Sequence, residues 1–417
     1  MARRDDVTTT LHAITAEAAL EWPYMADRLD LPAAQERGDF AELSIAVVAG
    51  LAFAVTALFM FAVPLSGHMT GSRDFVAYWS TGQQLVHHLN PYDRSAVMDM
   101  EHSAGLAASG AVLMMRNPPW ALPLAYPLGF LGLRAAAILW SLVLLVCLLI
   151  SVRIVRALHG SPPNRIHWLA LSFPPALICL VMGQTSLFAL LGLALFLRYH
   201  RTRPFAAGLS LWLCMLKPHL FLPFAAALGA WILVSRSYKV LAGAAASIAI
   251  TSLAAFLIDP AAWQDYSQMM RAPNIEQEFV PCLSDAIRYW IRPQATWLQF
   301  LPAGLCCIWA LIYYWRRRNA WDWIRNSGPL MLVSLLFAPY CFLYDQGLAI
   351  PAMMDAAYAT RCRAMLTVLA ALILIVDIEL GSVRIISGLY LWTAPAWFAW
   401  YWMARRFSVL SSSSLDS

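Results

Sequence analysis

Long apolar runs separated by short polar breaks organise this chain. A crossing helix needs about 20 mostly apolar residues, because the hydrocarbon core is about 30 Å thick. Runs of this kind, or somewhat shorter, fall at 44–65, 135–158, 167–182, 185–199, 204–216, 220–234, 240–258, 296–315, 328–343, 347–360, 364–380 and 385–404. They predict an all-α polytopic membrane protein with about twelve transmembrane helices. Several runs are shorter than ideal, so tilting or local thinning has to absorb the mismatch. The division is then a polar N-terminal extension over 1–43, a transmembrane domain over 44–406 and a polar tail over 407–417.

Composition agrees: of 417 residues, 60% are hydrophobic and only 13% charged, against roughly 25% charged in soluble domains. The N-terminal extension carries nine acids and four arginines and lacks the pattern of a signal peptide. The net charge of +5 follows from arginines at helix ends, so it does not argue for nucleic acid. The eight cysteines lie mostly inside apolar runs and do not form a disulfide framework.

Lys and Arg fix the orientation, since they accumulate on cytoplasmic loops. With the N-terminus inside, twenty of the twenty-nine basic residues fall on the cytoplasmic side, including the turns at Arg198–Arg203 and Arg316–Arg318. Both termini are then cytoplasmic. The two long loops, 66–134 and 259–295, face outward. The first contains "RNPPWALPLAYPLGFLG", which is too short to span and too apolar for free solution. It reads as a re-entrant or juxtamembrane segment.

This threading brings polar residues to one face. Asp74 lies just outside the first span, and Gln184, Lys217, His219, Tyr344 and Asp345 occupy very short outer turns. Each has an ordinary structural role open to it. Asp74 opens a segment with apolar residues at Phe75, Tyr78, Trp79, Leu85, Val86 and Leu89, a helical spacing, and an acid there complements the helix dipole. Lys217 can snorkel to headgroups, Gln184 can cap a turn, and Asp345 can pair with Lys217. Their gathering at one face is what points to function, because ionisable groups between apolar helices are costly. Asp355 and Asp377 have no assigned role.

Four stretches, "SRDFVAYWSTGQQLVHHLNPYD", "NPPWALPLAYPLGFL", "MGQTSLFALLGLALFLRYHRTRPFAAGLSLWLCMLKPHLFL" and "APYCFLYDQGLAIPA", together resemble glycosyltransferase family 87, also called DUF2029. That family includes polyprenyl-phosphate-mannose-dependent mannosyltransferases. The resemblance extends over about 44–352. It implies a GT-C fold with a catalytic acid in the first outer loop, which makes Asp74 the base and puts Lys217 near the donor phosphate. Relatives often carry a histidine in the turn that here reads "YDQG", where Tyr344 and Asp345 stand instead.

The chemistry suits these residue types. An acceptor hydroxyl attacking an anomeric carbon must lose a proton, which a carboxylate such as Asp74 accepts. The departing phosphate gains charge, which a fixed cation stabilises. Lys217 fits that role, assisted by Arg73, His219 or Arg288. Tyr78, Gln184, Tyr344 and Asp345 are candidates for substrate contact. No dense carboxylate cluster suggests a divalent metal, so the expectation is inverting transfer without a metal or other cofactor. The polyprenyl-phosphate sugar acts as co-substrate, a lipid or glycan as acceptor, and the outer face of a bacterial inner membrane as the place. The rival class is a transporter or flippase. That would place charges near the bilayer midplane in repeated halves, and no internal repeat is present.

Overall fold

Prolines decide where these apolar runs become separate helices. A proline in the first helical turn sacrifices no intrahelical hydrogen bond, so it starts a helix but does not continue one. Among the described residues six α-helices begin this way, with Pro123, Pro174, Pro204, Pro223, Pro302 and Pro351. The computed structural model describes residues 49–58, 73–104, 113–271, 279–360, 362–383 and 386–413. Among them every regular element is helical.

In chain order the α-helices are α1 (Ala49–Leu58), α2 (Arg73–Val86), α3 (Arg94–Ser103), α4 (Leu122–Ala125), α5 (Leu133–Leu158) and α6 (Pro174–Met182). Next come α7 (Ser186–Tyr199), α8 (Pro204–Cys214), α9 (Leu222–Val234), α10 (Tyr238–Ile258), α11 (Ala262–Met270) and α12 (Leu283–Ile291). The last are α13 (Leu301–Arg317), α14 (Trp323–Leu336), α15 (Ile350–Ala359), α16 (Arg363–Ser382) and α17 (Thr393–Ser413).

Among the described residues, four segments are long and apolar enough to cross a membrane: Leu133–Leu158, Tyr238–Ile258, Thr296–Ala320 and Arg363–Gly381. Each coincides with one of the twelve expected spans. Apart from α17, with 21 residues, the others are shorter: α6 has 9 residues, α8 has 11 and α7 has 14. At 1.5 Å per residue even the last reaches only about 21 Å. The expected extension over 1–43 lies outside the described residues, as does most of the first run. Helix α17 continues to Ser413, so the polar tail expected from 407 begins as helix.

The short helices pack through glycines, as helices do where backbones must approach closely. A Cβ on Gly208 of α8 would strike the Val240 carbonyl, and one on Gly243 of α10 the Phe205 carbonyl. Ser210 of α8 donates to the Gly192 carbonyl of α7 at 3.2 Å. At the predicted cytoplasmic end, Asp355 of α15 accepts from Arg405 of α17 at 3.2 Å and faces His159, at the end of α5, at 3.6 Å. That accounts for an acid the sequence left without a role.

The proline-broken segment after residue 116 folds as two 3-10 turns, Pro119–Ala121 and Tyr126–Phe130, flanking α4. It forms a strap with two attachments. At one end Asn117 Nδ2 donates to the Leu216 carbonyl at 2.8 Å and Trp120 Nε1 to the Met215 carbonyl at 2.9 Å. At the other, Gln83 Nε2 of α2 donates to the Gly129 carbonyl at 3.0 Å, and Trp79 Nε1 to the Leu131 carbonyl at 3.0 Å. Gly82 and Gly129 meet backbone to backbone, so a Cβ on either would run into the other strand of the contact. The strap therefore ties the helix carrying Asp74 to the turn carrying Lys217. Leu89, expected on the apolar face of this helix, lies beyond its end and is 55% exposed, because the chain turns at His88 (φ 54°).

Gly82→Ala is expected to cost about 1–3 kcal/mol through overpacking and to lower the melting temperature of the detergent-solubilised protein. Ser80→Ala, on the same helix, serves as comparison. An unchanged melting temperature for Gly82→Ala would mean that strap and helix separate freely.

Candidate active site

The site grows from three turns whose polar side chains meet in an apolar surround. Between α6 and α7, Gly183 adopts φ 72°, and a Cβ there would come within 2.7 Å of Phe75 Cβ. Only glycine combines that left-handed conformation with such an approach. The turn then presents Gln184 and Ser186. Between α8 and α9, Lys217 precedes a 3-10 turn over Pro218–Phe221. Before α15, a third 3-10 turn spans Leu343–Ala349.

Lys217 and Asp345 form the centre. Lys217 Nζ lies 2.7 Å from Asp345 Oδ1, and both residues are buried, at 8% and 2% exposure. Ser186 Oγ donates to the same Asp345 oxygen at 2.6 Å and accepts from Lys217 Nζ at 3.1 Å. Asp345 Oδ2 accepts from the Phe342 backbone N–H at 2.9 Å. The Lys217 ammonium also sits 4.8 Å above the Tyr344 ring, in cation–π range. The "YDQG" turn thus supplies the counter-ion of Lys217. Its next residue, Gln346, accepts from Trp397 Nε1 at 2.9 Å, which anchors the turn to α17.

Asp74 stands in the first turn of α2, beside this centre. Burial keeps the phenols of Tyr78 and Tyr344 protonated, and the nearby negative charge of Asp74 adds to the effect. Tyr78 Oη donates to Gln184 Oε1 at 3.1 Å, and its ring stacks on Trp140 at 5.2 Å. Trp140 Nε1 in turn donates to the Gly183 carbonyl at 2.7 Å. These contacts lock α2 against the glycine turn, so the acid and the ion pair keep a fixed relation.

The structure therefore gathers Asp74, Tyr78, Gln184, Lys217, Tyr344 and Asp345. His219 adjoins them, with its ring stacked on Tyr340 at 3.8 Å and its pKa pushed down to about 3 by burial. A neutral imidazole stacks and hydrogen-bonds but adds no charge for a phosphate. Arg288 lies elsewhere on α12, buried and 2.7 Å from Asp285. The Arg73 side chain lies outside the described residues. Sequence reasoning missed Ser186, Trp140 and Asn117. Ser186 was visible only as a hydroxyl in the same turn as Gln184.

With this geometry in hand, comparison with known proteins is informative. A family model described as glycosyltransferase family 87 matches residues 116–339, more than half of the chain. The chain belongs to glycosyltransferase family 87. It is accordingly a glycosyltransferase and, from its apolar helices, a membrane protein. No curated protein and no solved structure matches it. The matched region holds the strap, Gln184, Ser186 and Lys217. Asp74 lies before it and Asp345 just after it.

Removing one partner of a buried ion pair leaves an uncompensated charge, which typically costs about 3–5 kcal/mol. Lys217→Met should therefore destabilise the protein strongly in thermal or denaturant unfolding. Lys217→Met combined with Asp345→Leu should recover a large part of that loss. If the double variant is no more stable than the single, the two charges are not coupled as the 2.7 Å contact requires.

Proposed function

We propose that this glycosyltransferase moves a sugar from a polyprenyl-phosphate donor to a lipid or glycan acceptor on the extracytoplasmic face. Asp74 is the general base, and the configuration at the anomeric carbon inverts. The observation that carries this reading is a helix-opening carboxylate whose charge acts on Tyr344, the residue whose ring lies against the buried Lys217 ammonium. In the reaction the acceptor O–H proton passes to Asp74, and the acceptor oxygen bonds to the anomeric carbon. The bond from that carbon to the phosphate oxygen breaks, with its electron pair leaving on the phosphate.

Lys217 suits the leaving group because of its partners. An ammonium has three N–H donors, and Asp345 and Ser186 engage two. The third is available to a phosphate oxygen, in a charge-assisted hydrogen bond. Asp345 thus acts as the group that aims Lys217. The basic turns of one side, Arg198–Arg203 and Arg316–Arg318, support a cytoplasmic position for the opposite ends of these helices.

Asp74→Asn should fold normally and lose transfer by 10²–10⁴-fold, the usual contribution of a general base. Turnover with a short-chain polyprenyl-phosphoryl hexose would measure it. Near wild-type turnover would reduce Asp74 to a helix-dipole residue. For topology, a cysteine at exposed Arg94, placed in a background lacking Cys306, Cys307 and Cys362, should react with an impermeant maleimide added outside intact cells. Reaction only after the cytoplasmic side is opened would invert the proposed orientation.

A further inference from the structure

Beyond the ion pair, aromatic side chains from four separate loops come together. Tyr92, from the first outer loop, meets Tyr266 of α11 edge-on at 5.6 Å. Tyr340, in the approach to the "YDQG" turn, feels the charge states of Tyr266, Arg116 and Asp345, and its ring stacks on His219. A second pair, Trp120 and Trp263, joins the strap to α11 at 5.7 Å. The strip runs from buried to exposed: Asp345 is 2% exposed, whereas Tyr340 is 36% and Trp263 40% exposed. It leads from the proposed reaction centre to the surface.

Two polar atoms along it have no hydrogen-bond partner although they are buried. They are Tyr92 Oη and Asp259 Oδ2. Tyr92 is 5% exposed, and the carboxylates of Asp259 and Asp265 lie within electrostatic reach of its phenol. Orphaned buried polar atoms are rare in native proteins and call for a partner. Here one is a hydroxyl donor and the other a carboxylate acceptor, beside a run of ring faces. Each hydroxyl of a sugar both donates and accepts, and the C–H faces of its ring suit the negative face of an aromatic ring. A phosphate-bearing ligand matches less well, because two carboxylates, Asp259 and Asp265, face Tyr92 while one cation, Arg116, acts on Tyr340.

We propose that Tyr92, Tyr266, Tyr340 and His219, with Asp259 and Asp265, form a carbohydrate subsite that holds the sugar ring of the acceptor. The proposal rests on the glycosyltransferase reading and adds the acceptor class to it. Its place on the exposed side of the buried Lys217–Asp345 pair assigns it to the acceptor, since a lipid-linked donor enters from the membrane.

Saturation-transfer NMR on the purified full chain in nanodiscs tests this without turnover. The probes are methyl α-D-mannopyranoside and methyl β-D-glucopyranoside at millimolar concentration. At least one should receive saturation at its ring C–H protons. Tyr340→Ala and Tyr266→Ala should reduce the signal at least about fivefold, while the phenylalanine variants keep most of it. Should an alanine variant not purify as a folded species, the leucine variant gives the same reading, because it keeps bulk and loses the ring face. No saturation of either probe in the wild type, or undiminished saturation in the alanine or leucine variants, overturns the subsite. Displacement of the probe by citronellyl-phosphoryl mannose overturns the acceptor assignment, because the strip would then hold the donor sugar. Asp74→Asn separates the two readings. Retained transfer in that variant, with saturation still lost in the strip variants, removes the base and leaves the subsite standing.

Discussion

A charged pair inside an apolar helix assembly is the constraint on which this structure turns. Burying an ammonium and a carboxylate costs several kcal/mol per ion even after relaxation. That cost is offset only when the two meet at hydrogen-bond distance and their remaining donors and acceptors are filled. Lys217 and Asp345 meet most of this condition through Ser186 and the Phe342 N–H, with one Lys217 N–H left over. The requirement reaches outward. Three turns, separated by tens to more than a hundred residues, must arrive in register to within a few tenths of an ångström. The pair is therefore a weak source of net stability and a strong determinant of arrangement.

The strap does for α2 what the ion pair does for the turns. Its prolines prevent a long helix, and its free carbonyls become acceptors for Gln83 and Trp79. Gly82 and Gly129 allow the backbones to touch. At its other end, Asn117 and Trp120 bind the carbonyls of the two residues before Lys217. A displacement of α2 is thus transmitted to the lysine turn along one short, hydrogen-bonded segment. The family match begins with this strap and ends just before the Asp345 turn, so the shared frame is the part that sets distances.

Much of the site was legible because a membrane makes polar residues conspicuous. Asp74, Lys217 and Asp345 stood out against apolar neighbours, and the distribution of arginines predicted one face for them. Legibility failed where the signal was a partner far away in sequence. Ser186 is an unremarked hydroxyl until Asp345, 159 residues on, comes within 2.6 Å. Trp140 reads as one more apolar residue of α5 until its indole reaches the Gly183 carbonyl. Arg288, expected to assist at the phosphate, is instead paired with Asp285 three residues earlier on the same helix. Hydropathy located the helical segments to within a few residues, running long at 167–182, where a 3-10 turn precedes Pro174–Met182, and short at 240–258 against Tyr238–Ile258.

Those short helices bear on where the chemistry sits. With the Arg198–Arg203 turn at the inner face, as proposed, α7 rises from it for 14 residues and α8 for 11. At 1.5 Å per residue they reach about 21 Å and 17 Å, against a core about 30 Å thick. Their outer ends, Ser186 and the Lys217 turn, then lie below the outer boundary of the hydrocarbon. A lone lysine at that depth would be strongly disfavoured, which is why it comes with Asp345 and a ring of packed aromatics. The same depth suits a donor whose phosphate is tethered to a prenyl chain, since the headgroup need not leave the membrane far to reach Lys217. A polar acceptor needs a path down from water. The graded exposure from Trp263 through Tyr340 to Asp345 has the direction such a path requires.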